Sequence, residues 1–178
     1  MLTGNEIRIQ IGSGNIKIEP YDPENIGPNS YDVRLSDELA VYIDPVLDVR
    51  RENRTRKIKI PEEGIKLMPG KVYLGSTVEY TESPAFVPMY EGRSSLARLG
   101  ISSHLSAGFG DIGFKGKWTL EIKVEQPVII YAGVRIGQLY WHKPVGEITS
   151  TYHGKYQGQM DATQSRLFQD REWKEENR

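Results

Sequence analysis

The sequence predicts a mainly β fold, an antiparallel sandwich or barrel carrying two short helices. Three observations carry this expectation. Eighteen glycines and ten prolines cut the chain into short segments, and many of those segments are β-branched or aromatic with a period-two alternation. A length of 178 residues fits one domain and can bury a core without disulfides or a structural metal. The 38% hydrophobic and 26% charged content is ordinary for a folded globular chain and suggests neither disorder nor a fibrous fold.

In chain order, Thr3 and Glu6 stand at the spacing of a capping box ahead of Ile7 and Ile11, which predicts a short N-terminal helix. The alternation Ile7, Ile9, Ile11 also suits a strand. Strands are expected at 15–19, 31–35, 39–43, 57–60, 71–80, 117–124, 128–131 and 136–141, where apolar residues recur at every second position. Between Gly92 and Gly100, residues 94–99 fit one short internal helix, since glycine punctuates both of its ends. A single domain is expected over 1–170, and the polar end at 171–178 is expected to fray. No internal repeat is present.

Several function classes are excluded or disfavoured by composition. Cysteine is absent, which removes disulfides, thiol nucleophiles and thiolate zinc sites. The chain has no apolar run near the roughly 20 residues needed to span a bilayer, and its first residues lack a signal peptide's basic and apolar regions. A cytoplasmic protein that does not touch membranes is the expectation. A formal charge of −1 argues against a polynucleotide footprint. The basic cluster Arg50, Arg51, Arg54, Arg56 and Lys57 is interrupted by Glu52 and lacks interleaved aromatics, so it reads as a solvated loop. His104, His142 and His153 show no metal-ligand spacing and read as surface or packing residues.

Two segments carry chemistry. In the strand at 118–124, Trp118, Leu120, Ile122 and Val124 share one face, while Thr119, Glu121 and Lys123 share the other. Glu121 thus points away from the apolar core, although a solvated glutamate has the same pattern. The segment 91–100 places Arg93, Ser94, Ser95 and Arg98 around a helix start. Amides, hydroxyls and guanidinium groups in that arrangement suit a phosphate chain; a capped surface helix with solvated arginines fits equally well.

The motifs Gly-Arg-Ser-Ser-Leu-Ala-Arg-Leu-Gly (92–100), Ser-Ala-Gly-Phe-Gly-Asp-Ile-Gly-Phe (106–114) and Thr-Leu-Glu (119–121) resemble the dCTP deaminase family, which shares its fold with the trimeric dUTPases. Asn-Ser-Tyr-Asp-Val-Arg-Leu (29–35), Arg-Ile-Gly-Gln-Leu (135–139) and Tyr-His-Gly-Lys-Tyr-Gln-Gly-Gln (152–159) extend the resemblance over most of the chain. It implies a dUTPase-like distorted β-barrel or jelly roll. It also implies a homotrimer with sites at subunit interfaces, and hydrolytic deamination of dCTP without zinc.

Under this resemblance Glu121 is the general base and acid, while Ser94 and Arg98 orient the water and stabilise the reacting base. Arg93 and Ser95 are placed for the triphosphate, and Ala107 reads the exocyclic amino group through its backbone. Asp111 bonds the sugar 3′-hydroxyl, and Phe114 packs under the sugar. Leu96, Ala97, Thr119 and Leu120 are motif residues expected at the substrate, with Gln138 a weaker candidate. Residues 152–170 are expected to fold over the nucleotide and bring Tyr152, Lys155 and Gln159 near the phosphates. Mg²⁺ is expected mainly on the triphosphate oxygens, with no dedicated protein site.

Ala-Gly-Phe (107–109), Gly-Phe-Lys-Gly (113–116) and Lys-Tyr-Gln-Gly-Gln (155–159) look like the bifunctional members, which cleave the triphosphate as well and release dUMP. In these, Asp111 would take a second role in activating water at the α-phosphate. Gly110 departs from the aliphatic residue that commonly precedes the aspartate, which implies a looser loop around Asp111. The alternatives are a deaminase that stops at dUTP, a plain dUTPase, and a non-catalytic nucleotide-binding regulator. The family further implies dUTP as a ligand and dTTP as a feedback inhibitor.

Overall fold

The computed structural model describes the backbone of residues 1–174 and the side chains of residues 1–172. Helix α1 (Gly4–Gly12) opens the chain, capped by Thr3, whose Oγ1 accepts the Glu6 N–H at 3.3 Å. The Glu6 carboxylate turns to Gln10 instead, accepting its amide at 2.6 Å, so the capping box is half formed. Ile7 is fully buried whereas Ile9 is half exposed, which is helical rather than strand periodicity.

The strands follow as β1 (Lys17–Glu19), β2 (Tyr31–Arg34), β3 (Glu38–Tyr42), β4 (Thr55–Lys59), β5 (Ile65–Leu67), β6 (Tyr73–Glu82) and β7 (Val87–Gly92). The single-turn helix α2 (Ser94–Ala97) leads into β8 (Ile101–Ser102), β9 (Lys115–Val124), β10 (Val128–Ile130) and β11 (Arg135–His142). The largest sheet has the order β4-β3-β6-β9-β8, with β1 paired to the far end of β6; β2-β11-β7 form a second sheet and β5-β10 a third. All pairings are antiparallel. The two larger sheets enclose a core in which Tyr31, Val33, Leu35, Leu39, Ile122, Ile136 and Leu139 are completely buried.

Each expected strand is present with shifted ends, and β5, β7 and β8 add to them. After β11 the chain crosses back over the molecule as an extended segment. The Gln159 side-chain amide donates to the Lys117 carbonyl, and the Thr163 N–H donates to Thr119 Oγ1. A terminal helix α3 (Arg171–Lys174) forms where the polar composition suggests fraying; residues 175–178 lie outside the described residues. Among the described residues no helix is long and apolar enough to cross a membrane.

The two larger sheets are joined at a bulge in β6, where the register against β9 shifts between Ser76 and Tyr80. The bulge turns Glu79 inward, and its side chain has no solvent exposure. Arg34 on β2 answers it twice, donating its backbone N–H at 2.8 Å and its Nε–H at 2.7 Å. Thr77, two residues earlier, accepts the Trp118 N–H at 2.9 Å and donates to the Glu79 carbonyl at 2.8 Å. A lone buried carboxylate is far more costly than a paired one. Arg34→Ala should therefore lower unfolding stability by about 3–5 kcal/mol, and the apolar pair Arg34→Met with Glu79→Leu should recover most of that loss in urea titrations.

Candidate active site

Strand β9 alternates as its sequence requires: Trp118, Leu120, Ile122 and Val124 are buried, and Thr119, Glu121 and Lys123 are half-buried on the opposite face. Glu121 does not project into bulk water. It faces a cavity of about 420 Å³ whose wall includes Ala107, Asp111, Phe114, Thr119, Tyr152 and Gln159. Burial raises the Glu121 pKa above the ordinary carboxylate value, and the backbone N–H groups of Leu105 and of Glu121 itself, with the nearby His104, oppose the rise. Raised carboxylate pKa values in clefts mark acid-base residues.

Asp111 sits on the loop between β8 and β9, which is pinned to the rim of β7 where the Gly110 N–H donates to the Pro88 carbonyl at 2.9 Å. The loop is not loosened by Gly110. A Cβ there would lie 2.5 Å from Trp118 Cη2 and 2.8 Å from the Pro88 carbonyl oxygen, so close packing demands glycine at this position. Phe114 meets Trp118 edge-on at 5.6 Å and Tyr152 at 5.9 Å between ring centroids, which gives the cavity an aromatic floor.

The returning segment completes the wall. The Tyr152 N–H donates to the Ile112 carbonyl, and the Gln157 side chain donates to the Gly113 carbonyl while accepting the Lys115 N–H. The Ser165 N–H donates to the Tyr42 hydroxyl, and both residues line the cavity. Lys155 is turned away, with its ammonium held by both carboxylate oxygens of Asp170 at 2.6 and 2.7 Å.

Seven sequence-predicted residues thus meet at one cavity, and the others lie elsewhere. Arg93, Ser94, Ser95, Leu96, Ala97 and Arg98 are on and around α2, and none of them lines it. Ser94, Ser95 and Arg98 are exposed, while Arg93 faces Asp32 at 3.4 Å. Gln138, on β11, accepts the Ser30 hydroxyl. The Leu120 side chain is in the core, 1% exposed, so only its backbone is available to a ligand from the cavity side. Tyr42, Leu74, Phe109, Gly110, Trp118, Tyr156, Thr163 and Ser165 also line the cavity, and sequence reasoning missed them as site residues. The spaced tyrosines 152 and 156 were a usable signal; Tyr42 and Thr163 arrive from distant strands and the tail, and had none. Among the described residues no group of three or more His, Cys, Asp or Glu side chains gathers to hold a metal ion.

A sequence profile described as dCTP deaminase-like matches residues 1–143. A protein of Leptospira biflexa is 51% identical over 174 residues, covering 98% of this chain and 99% of its own. Relatives from Clostridium acetobutylicum and Cytophaga hutchinsonii are 49% and 48% identical over 170 residues, each covering 96% of this chain and 98% of its own. All three bear the name dCTP deaminase, dUMP-forming. The crystal structure of 2′-deoxycytidine 5′-triphosphate deaminase from Agrobacterium tumefaciens shares the fold, with a TM-score of 0.63 at 21% identity over 80% of this chain; this chain spans about half, 48%, of that one. From its motifs, its mainly β architecture and these near full-length relatives, the chain belongs to the dCTP deaminase-like family.

Proposed function

We propose that the protein deaminates dCTP at C4 of cytosine and then hydrolyses the triphosphate, releasing ammonia, diphosphate and dUMP. The observation that carries this reading is Glu121, a half-buried carboxylate of raised pKa on a rigid strand, sharing one cavity with Asp111. The names of the near full-length relatives support the same pair of steps. In the first step Glu121 takes a proton from water as its oxygen bonds to C4, passes that proton to N3, and assists a second transfer to the departing amine. The C4–N bond breaks, ammonia leaves, and the C4 carbonyl of uracil forms. In the second step Asp111 activates water towards the α-phosphorus, and the bond to the β-phosphate oxygen breaks.

This route asks for no zinc. Mg²⁺ would neutralise phosphate charge, held by triphosphate oxygens and water. The donor set fits that role, because Asp111 and Glu121 are the acidic side chains lining the cavity and neither belongs to a metal-ligating group among the described residues. The exposed Ser94, Ser95 and Arg98 on α2 support a site shared between protomers of a homotrimer, in which one chain's α2 completes its neighbour's cavity and grips water, base and phosphates. In such an assembly Ala107 offers its backbone to the exocyclic amine, and Phe114 excludes ribonucleotides under the sugar. Residues 152–170 cover the nucleotide, with Tyr152 and Gln159 already at the cavity and Lys155 reaching the phosphates once freed from Asp170. The product dUMP suits a supply route to thymidine nucleotides, for which dTTP is the natural feedback ligand.

Incubating the protein with dCTP and Mg²⁺ should yield dUMP and diphosphate by chromatography. Accumulation of dUTP would restrict the protein to deamination, turnover of supplied dUTP alone would make it a plain dUTPase, and no product at all would make it a binding module. Glu121→Gln should slow ammonia release by about 10²–10⁴-fold with nucleotide binding retained; wild-type turnover would remove Glu121 from the mechanism.

The Glu121 pKa also sets two pH effects. The base must be ionised, so the acid limb of deamination should lie above the pH at which an exposed glutamate titrates. Because the folded-state pKa is raised above the unfolded value, the native state binds more protons between the two, and stability falls as pH rises through that window. Glu121→Gln should accordingly stabilise the fold at neutral pH and leave it nearly unchanged below the ordinary carboxylate range, by denaturant titration at both pH values.

A further inference from the structure

We propose that Trp118 is a positioning residue for the triphosphate-hydrolysing step, because its indole fills the space beside Gly110 and thereby fixes the loop that aims Asp111. This rests on the two-step reading above and assigns the device that sets its second half. Among the described residues no hydrogen bond or ion pair holds the Asp111 carboxylate, so its direction is inherited from the loop backbone. That backbone is tied from below by the Gly110 N–H on the Pro88 carbonyl and the Gly113 N–H on the Ser83 carbonyl, at 2.9 and 2.8 Å. Between those two ties the Ile112 carbonyl accepts the Tyr152 N–H at 2.8 Å, and the Phe114 end of the loop rests on the Trp118 ring.

The indole is itself held on every side. Its Nε1–H donates to Thr81 Oγ1 at 3.0 Å, its backbone N–H donates to Thr77 Oγ1 at 2.9 Å, and Tyr90 stacks on it at 6.2 Å. Its far edge, Cη2, occupies the volume that a side chain at 110 would take. Phe114, four residues after Gly110, packs edge-on against the same ring and carries the contact onward to Tyr152 of the covering segment. Trp118 thus meets both ends of the Gly110–Phe114 loop while remaining only 8% exposed. A side chain at 110 and the indole edge at 118 would compete for one space, and in this chain the indole holds it.

Displacing a reacting group by about 1 Å can cost on the order of 100-fold. The test compares dUMP with dUTP formed from dCTP by the wild-type protein, Trp118→Phe, Gly110→Ala and the double variant, with ammonia release as the internal measure of a folded first step. Trp118→Phe deletes the edge that touches Gly110 and should lower the dUMP:dUTP ratio at least about tenfold. Gly110→Ala should lower the ratio in the wild-type background by more than it does in the Trp118→Phe background, because removal of the indole edge relieves the tighter of the new methyl group's two close contacts and leaves only the one with Pro88; residues sharing one space are expected to be non-additive. Thermal unfolding of the four proteins should display the same non-additivity without any turnover. An unchanged ratio in Trp118→Phe, or equal Gly110→Ala penalties in both backgrounds, would overturn the role of Trp118 while leaving the two-step reading intact. A wild-type protein that releases only dUTP would overturn both.

Discussion

The register between β6 and β9 is the constraint on which the molecule turns. Side chains on a strand alternate with period two, so a slip of one residue would send Glu121 into the core and turn the Trp118 indole out of it. The bulge at Ser76–Tyr80 excludes that slip, because Thr77 accepts the Trp118 N–H and Thr81 accepts the indole. Glu79, turned inward by the same irregularity, fastens the sheet to Arg34 on the opposite layer. A buried ion pair of this kind contributes little net stability compared with an apolar pair. Its consequence here is specificity of arrangement, since the observed register gives Glu79 the Arg34 guanidinium and Trp118 two threonine hydroxyls at once.

Much of this was legible in the sequence. The alternation from Trp118 to Val124 placed Glu121 on the non-core face, the glycines at 92 and 100 bounded a one-turn helix, and Thr3 marked the first helix start. Strand β7 escaped notice because Pro88 and Gly92 disguise it; among the described residues β11 is its one partner strand and its other edge meets just the 108–110 segment, and proline is tolerated on an edge. Strand β8, of two residues, is too short for any period to register, and β5, of three, follows directly on the turn residues 61–64. The cavity itself was hidden for a different reason. Its walls come from β3, β9, the Asp111 loop and the returning tail, and contacts between distant segments leave no local pattern. Gly110 was the instructive error, since glycine reads as freedom until the indole beside it is known.

The α2 residues and the Glu121 cavity are separate within one chain, and this division has a physical logic. A four-residue helix with exposed serines and arginine has little of its own to grip, whereas a phosphate chain needs several donors at once. Under the proposed shared site, placing those donors on one protomer and Glu121 on another would make catalysis conditional on assembly. The returning segment would add a second condition. In its present arrangement Lys155 is neutralised by Asp170, and the Arg166 guanidinium donates to the Lys155 carbonyl. A triphosphate would have to compete with that internal carboxylate for the ammonium, so the negative charge of the ligand is matched against charge the protein already carries.

Glu121 itself is subject to opposed demands. Burial favours its neutral form, which makes the ionised carboxylate a stronger base but a rarer one. The amides of Leu105 and Glu121 and the neighbouring His104 pull the other way, which keeps the group ionisable in a cavity floored by aromatic rings. Such a balance cannot be maintained on a mobile loop, because a small displacement would change both the desolvation and the donors together. A central strand, laddered to β6 at Glu121 and to β8 just beyond it at Lys123 and Val124, supplies the required fixity. The Asp111 loop has no such ladder, and so it depends on isolated ties and packing: backbone bonds to Pro88, Ser83 and Tyr152 and an indole edge do for the loop what the sheet does for Glu121.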